Sequence, residues 1–218
     1  MKKTFLTTAL AILISTLSYS QSDNHPFQLA LWNTVQIVPQ ELSVQGFRWN
    51  IIYGVNENVN GFDMGIVNKT NGYQKGAQLG IWNETEFEFT GARAGFVNFS
   101  GGEFKGYEHG FVNILDNDGK GWVAGGINVV NDDFNGLLSG MFNIQFADKT
   151  KGAHIGFVNI IKDTKKPKSE NKVKERQGTQ IGIVNITESL KGVQIGLINV
   201  NKSARIKFFP FILISKKS

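Results

Sequence analysis

A short phrase, glycine-x-x-x-glycine-x-x-asparagine, recurs along the chain and constrains its fold more than any other feature. It reads GAQLGIWN from Gly76 and GVQIGLIN from Gly192. Seven consecutive units begin 15 residues apart, and steps of 16, 26 and 14 residues complete ten units. The first glycines of the units are Gly46, Gly61, Gly76, Gly91, Gly106, Gly121, Gly136, Gly152, Gly178 and Gly192. A fixed period of this kind indicates stacked structural repeats.

Three positions of the unit are nearly constant. If the first glycine is position one, nine units carry glycine at position five and asparagine at position eight. Positions six and seven are almost always apolar. We predict structural roles for both rows, represented by Gly65, Gly80, Gly95, Gly110, Asn68, Asn83, Asn98 and Asn113. The first unit has Asn50 and Tyr53 at these two positions, as expected at the end of an array.

The period predicts an all-β fold, a β-solenoid of about ten coils. Helical repeats need about 30 residues, and two glycines in eight residues oppose helix formation. In a solenoid, like positions stack about 4.8 Å apart in a parallel sheet. Glycine then supplies positive φ or close approach at corners. We expect the asparagine amides to bond to the coils above and below, and the apolar positions to stack into a narrow core.

An antiparallel meander or β-barrel is the alternative fold. Membrane strands need about 9–11 residues of alternating character, and the repeated glycines and asparagines interrupt every window of that length. The solenoid is therefore favoured, and the barrel stays open as the alternative.

The segments outside the repeat predict the domain organisation. Lys2 and Lys3, a short apolar run and small residues before Gln21 predict a signal peptide over 1–20. We assign 21–45 to an N-terminal cap, 46–199 to the solenoid and 200–218 to a C-terminal cap. Residues 160–177, with seven Lys or Arg and three acids, form a basic loop inserted in the array. The apolar run is too short to predict a transmembrane helix.

The composition limits the cellular locations and the kinds of binding partner that the sequence predicts. The chain has no cysteine, which excludes disulfides and thiolate metal sites. An exported protein without disulfides suits a bacterial outer envelope, cell surface or extracellular location. The net charge of +5 comes mostly from the leader and the inserted loop. That loop lacks interleaved aromatic residues, so we predict no nucleic-acid partner.

Catalytic patterns are not found in the sequence. The histidines are His25, His109 and His154, and no nucleophile–base or zinc motif includes them. We predict no enzyme activity and no cofactor. Position thirteen is acidic in five successive units, Glu88, Glu103, Asp118, Asp133 and Asp148. In a solenoid these would form a row of repelling carboxylates. Turns that splay into solvent, together with Lys105 or Lys120, would relieve the repulsion between these carboxylates. The alternative hypothesis is that the row binds divalent cations.

The repeat together with the terminal NKSARIKFFPF resembles the LA_2272 family of bacterial surface-repeat proteins. The resemblance covers about Gly46 to Phe211 and implies an exported, surface-associated repeat protein. It implies no reaction, ligand or catalytic residue. We therefore predict a structural or adhesive binding scaffold whose unknown partner is a protein or a polysaccharide. An outer-membrane β-barrel protein is the alternative.

Overall fold

The computed structural model describes residues 25–164 and 175–216. These residues form β-strands and turns and no helix. The strands are β1 (His25–Trp32), β2 (Val35–Gln36), β3 (Val44–Asn56), β4 (Val59–Thr70), β5 (Gln74–Thr85), β6 (Phe89–Ser100), β7 (Phe104–Leu115), β8 (Gly119–Val130), β9 (Phe134–Phe146), β10 (Lys149–Lys162), β11 (Glu175–Ile181), β12 (Val184–Thr187), β13 (Lys191–Asn201) and β14 (Phe208–Ser215). The predicted signal peptide and most of the inserted loop lie outside the described residues.

The repeat units stack as parallel strands in the register that the sequence predicts. Between β5 and β6, for example, Gly76 lies opposite Gly91 and Asn83 lies opposite Asn98. The same parallel pairing runs from β3 to β13, and the result is a β-solenoid of about eleven turns. The solenoid prediction is confirmed. The antiparallel meander or barrel is wrong, because successive units run in the same direction.

Each of the two glycine positions has its own physical reason. Position-one glycines have φ between +118° and +153°, a region that side chains rarely adopt. A Cβ added to Gly91 would also lie 1.8 Å from the carbonyl oxygen of Gly76. Position-five glycines are needed for space: a Cβ on Gly95 would lie 2.4 Å from Nδ2 of Asn83.

The position-eight asparagines form the predicted hydrogen-bonded ladder through the interior. Asn83 Nδ2 donates to Asn98 Oδ1 at 2.9 Å and to the Ala94 carbonyl at 3.0 Å. Equivalent amide-to-amide bonds of 2.8–2.9 Å continue to Asn199. The first unit joins the ladder through its position five, since Asn50 Nδ2 donates to Asn68 Oδ1 at 2.7 Å.

The core is formed by positions other than those expected from hydropathy. Positions three, eight, ten and fourteen point inward, and an apolar cluster of Phe89, Phe104, Leu115, Val123, Val130, Phe134 and Leu138 fills the middle coils. The expectation that position six contributes to the core is wrong: Ile81, Phe96 and Leu197 are 57–59% exposed. Successive side chains of a strand alternate between faces. Because positions three and five face inward, positions four and six face outward.

Additional strands cover both ends of the array. At the front, β1 pairs parallel with β3 and places Gln28 opposite Arg48, and β2 pairs antiparallel with β1. At the back, β14 pairs antiparallel with β13. Pro210 lies in β14 where the register shifts, as expected for a residue that cannot donate to a ladder.

The long insertion leaves the register of the array unchanged. Gly152 of β10 lies opposite Gly178 of β11, and Asn159 lies opposite Asn185 of β12. The 26-residue step therefore contributes one coil like the others. None of the residues that the structure describes belongs to a helix capable of crossing a membrane.

Candidate binding surface

Four outward rows form an uncharged surface along the solenoid. In the ten units, positions two, four, six and seven contain no Lys, Arg, Asp or Glu. Many of these side chains are large and exposed, including Ile66, Leu79, Trp82, Phe111 and Trp122. Exposed apolar patches of this extent mark sites of interaction in soluble proteins. The apolar residues that the sequence suggested for the core therefore supply a surface instead.

Aromatic rings stack along the row at position two, which we call the aromatic row. At the front, Phe27, Phe47 and Phe62 are stacked with centroid separations of 5.9 and 5.7 Å. Further along, Tyr107 and Trp122 make an edge contact at 5.1 Å. The parallel register aligns these rings at the spacing of the coils. Ala77 and Ala92 interrupt the row, so the rings form two separate apolar clusters whose exposed edges can pack against an uncharged surface.

A groove runs along the glycines of position five, and we call it the glycine groove. Its floor is Gly125, Gly140, Gly156, Gly182 and Gly196. Its walls are position-four and position-six side chains, among them Met141, Ile155, Phe157, Ile183 and Leu197. Phe211 and Ile212 of β14 contribute at the last coil, and the groove has a volume of about 920 Å³. Because position five faces inward while positions four and six face outward, the walls stand above a floor of backbone.

A buried polar row at position three was missed in the sequence. From β1 onward it contains Gln28, Arg48, Asp63, Gln78, Arg93, Glu108, Val123, Leu138, His154, Gln180 and Gln194, each 0–2% exposed. Opposite charges 15 residues apart were the available signal, since Arg48 precedes Asp63 and Arg93 precedes Glu108 by one unit. An apolar core was expected, so these charges were not placed inside.

The charged members of this row form two buried ion pairs. Arg48 donates from Nε to Asp63 Oδ1 at 2.7 Å and from Nη2 to Asp63 Oδ2 at 2.6 Å. Arg93 donates from Nε and Nη2 to Glu108 Oε2 alone, and Glu108 Oε1 is buried without a hydrogen-bond partner. The guanidinium of Arg93 lies 4.3 Å from the centre of the Phe89 ring. Burial raises the pKa of the Glu108 carboxyl, and the charge of Arg93 opposes that shift. These pairs hold the interior together and are closed to substrates.

His154 occupies the same row without a hydrogen bond at either ring nitrogen. It is 2% exposed, between Leu138 and Gln180 in the register. Burial lowers the pKa of its imidazole from 6.5 to about 4, so the ring is neutral at pH 7. His109 lies at an exposed position four instead. The two histidines are thus separated on opposite sides of the sheet, and no shared metal site joins them.

The residues of the acidic row lie at the turns between strands, and the carboxylates of two of them lie close to each other. Phe89 and Phe104 donate backbone hydrogen bonds to the carbonyls of Glu103 and Asp118, which confirms that these turns stack. Lys105 Nζ lies 3.1 Å from Glu103 and 4.0 Å from Glu88, as predicted. Asp118 and Asp133 come together with a third acid, Asp132, and their carboxylate oxygens lie within 4.8 Å of one another.

Asp148 differs from the rest of that row. The 16-residue step inserts one residue here, so that the backbone amides of both Asp148 and Lys149 donate to Asp133 Oδ1. Asp148 is only 6% exposed, whereas the row was expected to splay into solvent. The divalent cation site predicted for the row of Glu88, Glu103, Asp118, Asp133 and Asp148 stays a prediction, tested by thermal melting with and without millimolar calcium.

The inserted basic segment contributes a structural residue rather than a surface charge at its end. Arg176 is fully buried, donates to the Ala147 carbonyl and to Ser189 Oγ at 2.9 Å, and pairs with Asp163 at 2.7 Å. Residues 165–174 lie outside the described part of the chain.

Comparison with known proteins leaves the repeat without a match. No family model matches the chain, and no curated protein and no solved structure is significantly similar to it. The LA_2272 resemblance therefore stays a proposal, and function has to be argued from the surface.

Proposed function

We propose that this is an exported bacterial surface or envelope protein of the LA_2272 type that acts as a structural or adhesive binding scaffold. The observation that carries the proposal is the uncharged outward surface with its aromatic row. The buried ion pairs and the asparagine ladder are bonded within the solenoid, which leaves side-chain packing on the outside as the means of recognition. Repeat scaffolds commonly act through such extended surfaces.

The partner is a protein or a polysaccharide with an uncharged face. Stacked rings such as Phe47 on Phe62 and the exposed Trp122 present apolar aromatic surface at the front and in the middle of the array. Desolvated aromatic anchors contribute most of the binding energy in many interfaces. No reaction is proposed, because the buried ion pairs and His154 are closed to solvent.

A binding assay with residues 21–218 tests the scaffold function. Purified envelope polysaccharides and extracellular-matrix proteins are immobilised, and binding is measured by surface plasmon resonance. We expect Phe62→Ala with Trp122→Ala to weaken binding about tenfold or more. Phe87→Ala is the matched control, because Phe87 is 67% exposed but lies in a turn outside the aromatic row. Equal binding by the double variant and the wild type would remove the aromatic row from the proposal.

Export is tested separately with the leader. Residues 1–30 are fused to alkaline phosphatase, which is active only after export from the bacterial cytoplasm. The signal-peptide interpretation predicts phosphatase activity, and Leu13→Arg is expected to abolish it because a charge interrupts the apolar run. An inactive fusion with the native leader would contradict export.

A further inference from the structure

We propose that the glycine groove is the contact surface of a homodimer, in which the wall side chains of one copy enter the groove of the other. The groove walls belong to the uncharged surface of the proposed function, but that function is tested at the aromatic row and this inference at the groove walls, so the two can fail independently. Four features of the groove identify its occupant: its charge, its backbone pairing, its period and its area.

The groove selects an uncharged occupant that brings its own side chains. Its walls and floor contain no Lys, Arg, Asp or Glu. The backbone along the floor is already paired within the sheet, since Gly140 lies opposite Gly156 and Gly182 precedes the paired strand β12. An added peptide strand would therefore gain no ladder hydrogen bonds. Recognition depends on apolar packing alone.

The period of the walls distinguishes a second copy from other apolar partners. Wall side chains repeat once per coil, about every 4.8 Å. Side chains on one face of a single strand repeat about every 6.7 Å, and turns of a helix about every 5.4 Å. Over the five coils from Gly125 to Gly196, a strand would drift out of phase by about 8 Å and a helix by about 2 Å. A second copy of this solenoid stays in phase throughout.

The available area fits a dimer of moderate affinity. The uncharged rows that flank the glycine groove continue beyond its five coils, since nine units carry glycine at position five. Positions four to seven of these nine coils form a strip of roughly 43 by 13 Å, or about 560 Å² per copy. Two copies would bury about 1,100 Å², close to the lower bound of about 1,000 Å² for specific interfaces. A two-fold arrangement uses the same rows of both copies and leaves no groove free. The assembly therefore closes at two copies.

Sedimentation velocity of residues 21–218 tests the proposal. We expect a concentration-dependent dimer in the micromolar range and a monomer for Ile183→Asp, which places a charge on a wall side chain that is 48% exposed. Val35→Asp is the matched control: Val35 is 60% exposed in β2, outside the groove, and its variant should dimerise like the wild type. Circular dichroism confirms that each variant remains folded.

Hydroxyl-radical footprinting of the unmodified chain provides a second measurement that needs no variant. Met141 in the groove wall should become protected as the concentration rises, while Phe87 in its turn should not. A wild type that is monomeric at 100 µM, with Met141 equally oxidised at every concentration, would overturn the proposal. So would a monomer that binds phosphatidylcholine vesicles and loses that binding in Ile183→Asp, because the groove would then contact lipid.

Discussion

Two rows of buried polar side chains run side by side through the interior of the solenoid. They satisfy their hydrogen-bonding groups in different ways. The position-eight row is asparagine in nine units, whereas the position-three row changes from arginine to aspartate, glutamine, glutamate, valine, leucine and histidine. Both rows are buried and both stack in register. An amide has a donor and an acceptor, so identical neighbours satisfy one another indefinitely. Charged groups cannot repeat in this way and must alternate in sign.

The difference shows where the sequence is free to vary. Each asparagine is fixed by two neighbours, because Asn98 accepts from Asn83 and donates to Asn113. At position three the requirement is only local complementarity, met by Arg48 with Asp63 and by Val123 beside Leu138. A substitution at position three should be tolerated when the position-three residue of the neighbouring coil is changed to one of complementary charge or polarity. Variants in both rows test this difference.

Arg48→Leu should destabilise the fold most, by about 3–5 kcal/mol, because it leaves Asp63 charged, buried and unpaired. The guanidinium also donates to the Lys69 carbonyl at 2.9 Å and to Thr70 Oγ1 at 3.0 Å. Urea unfolding followed by circular dichroism measures the loss. The double variant Arg48→Leu with Asp63→Leu is the control and should recover most of it. A loss below about 1 kcal/mol in the single variant would contradict the role of the pair.

Asn98→Asp should cost about 3 kcal/mol, since it removes two donated hydrogen bonds and places a carboxylate against two buried oxygens. Those acceptors are Asn113 Oδ1 at 2.8 Å and the His109 carbonyl at 3.0 Å. The same change at Asn135, an exposed residue at the edge of a coil, is the control and should have little effect. Equal unfolding midpoints for the two variants would show that the ladder contributes nothing specific.

His154 should make the fold sensitive to acid. Its folded pKa of about 4 lies below its usual 6.5, so the unfolded chain takes up the proton first. The stabilisation is fully present above pH 6.5 and falls as the pH drops toward 4, by about 3 kcal/mol in all. Unfolding free energies from pH 7 to pH 4 measure this loss.

His154→Leu should remove that dependence, with Leu138 in the same row as precedent for an apolar side chain. His109→Gln changes an exposed histidine and should leave the pH profile as in the wild type. If His154→Leu has the same dependence of unfolding free energy on pH as the wild type, the buried imidazole is not the origin of the acid sensitivity.

Arg93→Leu with Glu108→Leu should change stability least, within about 1 kcal/mol of the wild type or in its favour. Replacing both members of a buried ion pair by apolar residues is often neutral or stabilising. The row already continues as Val123 and Leu138, and Phe89 and Phe104 pack beside it. Arg93→Leu alone is the comparison and should resemble Arg48→Leu. A double variant as unstable as the single one would show that the charges specify the register.

The sequence by itself determined which residues stack. The 15-residue period, the glycines at positions one and five and the asparagines at position eight predicted parallel coils, corners and the amide ladder, and all are present in the structure. The reason is that a parallel in-register sheet places like residues above one another. The repeat in the sequence therefore predicts which residues are neighbours along the axis of the solenoid.

The side of each coil that faces inward is apparent only from the three-dimensional fold. Hydropathy assigned position six to the core and gave no reason to place Arg48 or His154 there, yet Phe96 lies outside and both of the others lie inside. Arg48 can be buried here because the neighbouring coil supplies Asp63 as its partner, whereas His154 is buried as a neutral ring without a hydrogen bond. Inside and outside therefore depend on how the glycine corners bend the cross-section, which one strand's periodicity does not encode.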